Sequence, residues 1–219
     1  MIILVASTKG GVGKSTIAAN MAVVFAKREY DVLLVDADRQ SSCAEFQAER
    51  KINYPDYPKI TVVQRYGEID DDLESLSSKF DFTVVDVSGR DSSEMRSAML
   101  VADTLLVPVR PSQFDLSALH TTVGITKDGM RINKKLRAHT VLSIVPTNPL
   151  GSEFEAARSV ILEGYPELKL MDVAIRDRKI YRDSIAVGLG VVEVNDKADS
   201  TLKAQTEIRE LVDELLNLA

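Results

Sequence analysis

One segment constrains this chain more than any other: Lys9-Gly10-Gly11-Val12-Gly13-Lys14-Ser15-Thr16, which directly follows the apolar run at residues 2–6. An apolar run, a glycine-rich turn ending in Lys-Ser, and then helical spacing over residues 17–27 predict a phosphate site. Glycines let backbone N–H groups converge on phosphate oxygens, the helix presents its positive end, and Lys14 adds a charge. A ligand-free turn is the alternative, but glycine costs backbone entropy, so stability alone explains the segment poorly.

Length and charge limit the class of protein. With 219 residues, 45% of them hydrophobic, the chain can bury a substantial core, so we expect one domain over residues 1–219 with nothing preceding its first strand. The formal net charge of -6 restricts any nucleic-acid binding to a local patch. Cys43 is the single cysteine, which excludes an internal disulfide or a paired-cysteine metal site. We predict a cytoplasmic protein without a membrane partner, because no secretory signal or run of roughly 18 apolar residues is present.

Apolar runs of strand length alternate with segments of helical spacing. Most of these runs are continuous, as in strands buried on both faces, so we predict an α/β fold with a mostly parallel twisted sheet flanked by helices on both faces. The predicted strands are residues 2–6, 32–35, 60–63, 82–85, 104–107, 141–145 and 168–173. The predicted helices are residues 17–27, 44–50, 73–80, 93–102, 116–131, 154–162 and 202–218. The last helix is mainly acidic on its polar face, which favours packing on the domain over membrane binding.

Three aspartates stand at predicted strand ends. Asp36 and Asp38 are two residues apart, so in extended chain they leave the same face and could address one metal-water cluster. Asp86 ends another strand, at the carboxyl edge where open α/β sheets bind ligands. The alternative is that Asp36 and Asp38 shape a turn or cap the next helix.

At these residues the sequence resembles the ParA/MinD family of deviant-Walker ATPases. The likeness covers the phosphate loop, the second motif at residues 36–41, the strand ending at Asp86, and residues 86–115 with Gly89-Arg90-Asp91 and Pro108-Val109-Arg110-Pro111-Ser112. Within the family it is most similar to small ParA-type DNA-partition ATPases without an amino-terminal helix-turn-helix domain. Departures are Thr8 in place of an early loop glycine, Arg39 in place of proline, and Val87-Ser88 after the third aspartate.

The resemblance implies a P-loop NTPase that hydrolyses ATP to ADP with Mg²⁺. Lys14 would hold the β- and γ-phosphates, Ser15 and Asp86 would organise Mg²⁺, and Asp38 would orient the attacking water. Lys9 would cross a two-fold interface to the partner's nucleotide, so that ATP joins a homodimer that hydrolysis undoes. The whole loop from Lys9 to Thr16 would contact nucleotide, as would Asp36 and Gly89, which would sense the γ-phosphate.

The resemblance also implies partners and a base pocket. Asn148, within Thr147-Asn148-Pro149, and Arg176 follow successive strands where relatives hold adenine, although ordinary loop turns explain them equally well. The ATP-bound dimer would bind non-specific DNA and associate with the nucleoid, and a ParB-like centromere-binding protein would stimulate slow hydrolysis. The favoured DNA patch comprises Arg176, Arg178, Lys179 and Arg182; the other comprises Lys127, Arg131, Lys134, Lys135 and Arg137.

Other functions remain open from sequence. A MinD-like positioning ATPase would want a basic terminal helix, which the acidic tail does not supply. An ATP-dependent small-molecule ligase of the same fold is possible, because the loop alone does not reveal the acceptor. His120 and His139 lack partners at metal or triad spacing, and Cys43 is expected to be a small buried residue.

Overall fold

A computed structural model describes residues 1–148 and 153–218 of the chain. Its seven strands form one sheet in the order β3-β2-β4-β1-β5-β6-β7, and every neighbouring pair is parallel. The predicted α/β class and all seven predicted strands are therefore confirmed. The strands are β1 (Ile2–Val5), β2 (Val32–Ala37), β3 (Thr61–Gln64), β4 (Phe82–Val87), β5 (Thr104–Val109), β6 (Arg137–Val145) and β7 (Lys169–Arg176).

Helices cover both faces of the sheet. They are α1 (Lys14–Lys27), α2 (Ser42–Asn53), α3 (Asp70–Ser77), α4 (Ser93–Val101), α5 (Gln113–Ile132), α6 (Glu153–Gly164), α7 (Lys179–Ala186) and α8 (Asp199–Leu218). A short 3-10 helix spans Val191–Glu193 between the last two. The sequence patterns did not predict α7 or the 3-10 helix.

Alternation along the strands creates two hydrophobic cores. In β1, Ile3 and Val5 point into a core shared with α1, α2, α7 and α8, whereas Ile2 and Leu4 point into a core shared with α3 to α6. Burial on both faces explains why the strands read as continuous apolar runs. The acidic α8 packs its apolar face on the sheet and on α1, as its spacing predicted. In the described part of the chain, no helix has the length and apolar character needed to cross a membrane.

The parallel arrangement brings several loops to one edge. Val5, Asp36 and Asp86 lie side by side in register, on β1, β2 and β4 respectively. The phosphate loop and both aspartates therefore meet at the carboxyl edge of the sheet, which is where this class of fold binds ligands.

Candidate active site

The phosphate loop connects β1 to α1 and takes its shape from glycine. Gly11 and Gly13 have φ of 72° and 85°, in the left-handed region that disfavours side chains. Gly13 also precedes the first helical residue, so the amino end of α1 opens directly onto the loop. Backbone N–H groups at this end have no partner within the helix, which makes the turn an anion site.

Lys14 folds across its own loop. Its Nζ donates to the carbonyl oxygen of Lys9 at 3.3 Å, and the residue is buried. Burial lowers the pKa of Lys14, while the carboxylates of Asp86 and Asp38 partly offset that effect. The charge of Lys14 is thus held inside the loop, next to the two carboxylates.

Asp86 lies beneath the loop and is completely buried. Its Oδ2 accepts a weak hydrogen bond from the Cys43 thiol at 3.4 Å, and its buried Oδ1 has no protein partner in the described residues. Burial raises the pKa of Asp86 to about 7, against the lowering effects of Ser15 and Lys14. A carboxylate oxygen without a partner beside a serine hydroxyl fits Mg²⁺, a hard cation that takes few protein oxygens and completes its shell with water and phosphate.

Asp36 and Asp38 do not act as a matched pair. The side chain of Asp36 is fully buried, and its two oxygens accept from the backbone N–H groups of Asp38 at 3.2 Å and Ala44 at 2.9 Å. Burial raises the pKa of Asp36 and these backbone bonds lower it. This geometry favours the capping interpretation over direct contact with a γ-phosphate, because such contact would first have to break both bonds. The shared-face prediction is wrong, because β2 ends at Ala37 and the chain turns at Asp38.

Asp38 instead reaches the open site. It is half-buried, lines the cavity at the loop, and its Oδ1 accepts from the N–H of Gln40 at 3.0 Å. Asp36 therefore positions the turn that carries Asp38. The sequence placed both residues near the nucleotide but could not separate the supporting carboxylate from the one that faces the cavity.

Gly89 belongs to the same site for steric reasons. A Cβ at this position would lie 2.6 Å from the Cα of Gly10 and 2.9 Å from the carbonyl oxygen of Lys9. Only a glycine allows the turn after β4 to lie this close to the phosphate loop, so movement of one requires movement of the other.

The end of β6 also braces the loop. Ile144 has a φ of 53°, which is strained for a β-branched residue, and one of the two register shifts in the pairing of β6 with β7 falls at this residue. Ser143 Oγ donates to the carbonyl oxygen of Val12 at 2.8 Å, and the Ile144 side chain lies 3.7 Å from where Gly13 would carry a Cβ. Strain that persists beside a ligand loop is typical of a functional site.

A cavity of about 1060 Å³ extends from the loop between α2 and α7. Sequence patterns did not identify these two walls, because neither helix carries a recognisable motif. The lining residues come from the phosphate loop (Gly10, Gly11, Gly13 to Thr16), the Asp38 turn (Asp38 to Gln40), α2 (Ser42, Glu45, Phe46, Ala48, Glu49), the turn after β4 (Ser88 to Arg90) and α7 (Arg182, Ile185, Ala186).

Lys9 stands apart from this cavity. Its side chain is exposed, and within residues 1–148 and 153–218 it forms no hydrogen bond or ion pair. A lysine at the mouth of an anion site that does not fold back on its own chain is free to contact a second molecule.

The predicted base pocket is separate from the cavity. Asn148 is exposed beyond β6, and Pro149 lies outside the described residues. The guanidinium of Arg176 donates to the carbonyl oxygen of Pro146 at 3.0 Å and lies 5.1 Å from the centre of the Phe154 ring. These residues share the carboxyl edge with the loop, but neither lines the cavity.

The cations of the favoured DNA patch are all engaged with acidic groups or carbonyls. Arg178 donates from Nε and Nη2 to one oxygen of Glu207, Oε1, at 2.9 and 2.7 Å in a largely buried pair, which makes it a structural residue rather than a free phosphate contact. Arg182 bonds Asp177 at 2.7 Å and lines the cavity, whereas Lys179 is exposed and pairs with Asp183 at 3.0 Å. The second patch is also partly neutralised, by a Lys127–Glu167 pair at 2.6 Å and an Arg131–Asp128 pair at 3.0 Å.

Cys43 and His139 are buried, as a structural role requires. Cys43 is 1% exposed at the start of α2, and burial raises its pKa, so it lacks the character of a nucleophile. His139 is buried in β6, where burial lowers its pKa to about 4.

Comparisons with known proteins agree with this geometry. The sequence profile of the CobQ/CobB/MinD/ParA nucleotide binding domain matches residues 3–191. The protein called maintenance of carboxysome distribution protein A from Halothiobacillus neapolitanus is 29% identical over 97% of this chain and 94% of its own length. Its namesake from Gloeobacter kilaueensis is 30% identical over 98% and 93%. A solved complex of ATP with substituted Cyanothece McdA shares the fold, with a TM-score of 0.78, 17% identity, and coverage of 99% of this chain and 96% of that one.

The profile covers most of the sheet, including the phosphate loop and all three aspartates. This chain belongs to the CobQ/CobB/MinD/ParA nucleotide-binding family.

Proposed function

We propose that this protein is a Mg²⁺-dependent ATPase of the ParA/MinD type that positions a cargo in the cell through an ATP-dependent homodimer. The observation that carries the proposal is the arrangement at one sheet edge. Lys14, Ser15, Asp38 and Asp86 gather around the glycine loop, while the side chain of Lys9 is exposed and has no partner in the described part of the chain.

The site residues divide the work of phosphoryl transfer. Lys14 and the backbone of the loop neutralise the phosphates, and Ser15 and Asp86 would hold Mg²⁺, which neutralises charge on the transferring group. Asp38 accepts the N–H of Gln40 through one oxygen, and its other oxygen would orient a water molecule. These parts supply positioning and charge but no further activating group, which favours slow hydrolysis until a partner protein acts.

Lys9 would link nucleotide state to assembly. An exposed, unpaired lysine beside the loop can reach the nucleotide of a second subunit related by two-fold symmetry, and that subunit's Lys9 then reaches back. ATP becomes part of the contact between subunits. Hydrolysis removes charge from the contact and releases the dimer.

DNA binding would depend on this dimer. The net charge of -6 and the pairing of the α7 cations make the monomer a poor ligand for DNA, but two-fold symmetry doubles the exposed patch that contains Lys179 and Arg182. The protein would be cytoplasmic, and non-specific binding to DNA would place its ATP-bound form on the nucleoid.

A mobility-shift assay with random-sequence duplex at low salt tests this step. We expect binding with ATP but not with ADP or without nucleotide, and weaker binding for Lys179→Ala. Lys203→Ala is the matched control, since Lys203 forms a similar exposed pair with Asp199 at 2.7 Å on α8. Absence of ATP-dependent binding by the parent would remove DNA as a ligand and favour a small-molecule ligase.

Two kinds of cargo fit the proposal. A DNA cargo, plasmid or chromosome, would use a ParB-like centromere-binding partner, as the motifs suggest. A protein body is the second candidate, because the two relatives matched over nearly their whole length are named for maintaining carboxysome distribution. Deletion of the gene separates them: DNA cargo predicts loss of a replicon at division, whereas protein cargo predicts clustered bodies with normal DNA inheritance.

A further inference from the structure

Arg110 lies beside the phosphate loop, on the side away from Asp86. It directly follows β5, which pairs in parallel with β1, so both reach the same edge of the sheet. The Nη2 atom of Arg110 would be 3.8 Å from a Cβ built on Gly11, and apart from the residues adjoining Gly11 no other atom lies within 4 Å of that point. The guanidinium therefore rests against the loop.

Arg110 is a partly buried cation without a counter-charge in residues 1–148 and 153–218. Its Nε is buried and has no hydrogen-bond partner there, and its guanidinium forms no ion pair. Arg90 and Arg209 are likewise unpaired, but both are exposed to water. Burying a cation without a partner is costly, so a group that remains in this state is expected to meet an anion.

The donors without a partner have the geometry of a fork. Nε and Nη2 of an arginine point in the same direction, and Arg96 uses these two atoms to bind Asp91 at 2.7 and 2.8 Å. In Arg110, Nε is the buried atom without a partner and Nη2 is the atom next to the loop. A fork of this kind binds phosphate through two parallel hydrogen bonds.

We infer that Arg110 contacts a phosphate group of the nucleotide held by the loop, through Nε and Nη2. The inference rests on the proposed function, because it assigns one more residue to the same nucleotide. β1 lies between β4 and β5, so Asp86 and Arg110 flank the loop from opposite sides. The metal would neutralise phosphate oxygens on the β4 side and Arg110 those on the β5 side.

Calorimetric titration of ATP, with Mg²⁺ present, into the parent, Arg110→Gln and Arg110→Lys proteins tests the assignment. Loss of a charge-assisted fork is expected to weaken ATP binding by about tenfold or more. Arg110→Lys should fall between the other two, because lysine keeps the charge but cannot form the fork. Arg209→Gln, which removes an exposed unpaired arginine from α8, is the matched control and should bind ATP like the parent.

Thermal unfolding without nucleotide separates this role from a structural one. Arg110→Gln should unfold at the same temperature as the parent or higher, because it removes an unpaired buried charge. A lower unfolding temperature, or ATP affinity equal to that of the parent, overturns the inference. Loss of DNA binding with unchanged ATP affinity also overturns it, since the fork would then serve nucleic-acid phosphates. If the parent itself binds no ATP, the proposed function fails together with this assignment.

Discussion

A buried ion pair joins α2 to the segment that follows α7. Arg50 of α2 and Glu193 of the 3-10 helix after α7 are 3% and 9% exposed, and two contacts of 2.7 Å join them in a bidentate pair. Arg50 also donates to the carbonyl oxygens of Gly188 and Pro58 at 3.1 and 3.0 Å, and the N–H of Gly190 donates to Glu193 at 3.0 Å. Nη1 and Nη2 of Arg50 therefore each donate two hydrogen bonds, and both carboxylate oxygens of Glu193 accept.

Arg50→Met should be strongly destabilising, because it leaves the Glu193 carboxylate buried and unpaired. Breaking one side of such a pair costs about 3–5 kcal/mol, a large part of the roughly 5–15 kcal/mol that stabilises a typical protein. Arg65→Met is the control: the pair of Arg65 with Asp72 is exposed, and such a pair contributes about 1 kcal/mol or less.

Urea unfolding followed by circular dichroism measures these differences, since the chain has no tryptophan. The double variant Arg50→Met with Glu193→Leu should recover much of the loss, because replacing both partners by apolar side chains removes the unpaired charge. If Arg50→Met loses no more stability than Arg65→Met, the buried pair does not stabilise the fold in this way. The same conclusion follows if the double variant is as unstable as the sum of its single changes.

Three further predictions concern the loop and the sheet. Gly89→Ala should displace the phosphate loop, weakening ATP binding at least tenfold in calorimetry and costing about 1–3 kcal/mol of stability. Gly124→Ala is its control and should leave ATP binding unchanged, because the added Cβ would have no atom within 4 Å beyond its chain neighbours and its own helix backbone. Asp38→Ala should bind ATP but release little phosphate in a turnover assay; normal turnover would mean that another group orients the water. Burial gives His139 a pKa of about 4 in the folded protein, against an ordinary 6.5. Because the unfolded chain therefore takes up more protons as the pH falls, this residue should lower the free energy of unfolding by about 2 kcal/mol between pH 7 and pH 5. In His139→Leu, the urea midpoint should therefore fall less between pH 7 and pH 5 than it does in the parent. If it falls equally, other groups cause the loss.

Strands and the phosphate loop were predictable from sequence because their signals are local. A strand buried on both faces is a continuous apolar run, and a loop that binds phosphate has fixed glycine and lysine spacing. The adjacency of Asp36 and Asp86 to the loop also followed, since parallel strands end at one edge. The amphipathic segment at α8 was long enough to be recognised from its period.

Features set by distant contacts were not predictable. α7 has only eight residues, and its position depends on Tyr181 and on Glu207, which lies on another helix. The capping bonds of Asp36 depend on where β2 ends, which alternation alone does not reveal. The need for glycine at position 89 comes from the backbone of Gly10, which is far away along the chain.

In the proposed function, Lys9 makes ATP part of the contact between two copies of the chain. Light scattering of the parent, Lys9→Ala and Lys59→Ala proteins with ATP tests it most directly. Lys59 is also an exposed lysine, and it precedes β3 at the opposite edge of the sheet. We expect the parent and Lys59→Ala to double their mass from 24.1 kDa on adding ATP, whereas Lys9→Ala should remain at the monomer mass. Equal dimerisation by Lys9→Ala, or a parent that stays at the monomer mass, would contradict it.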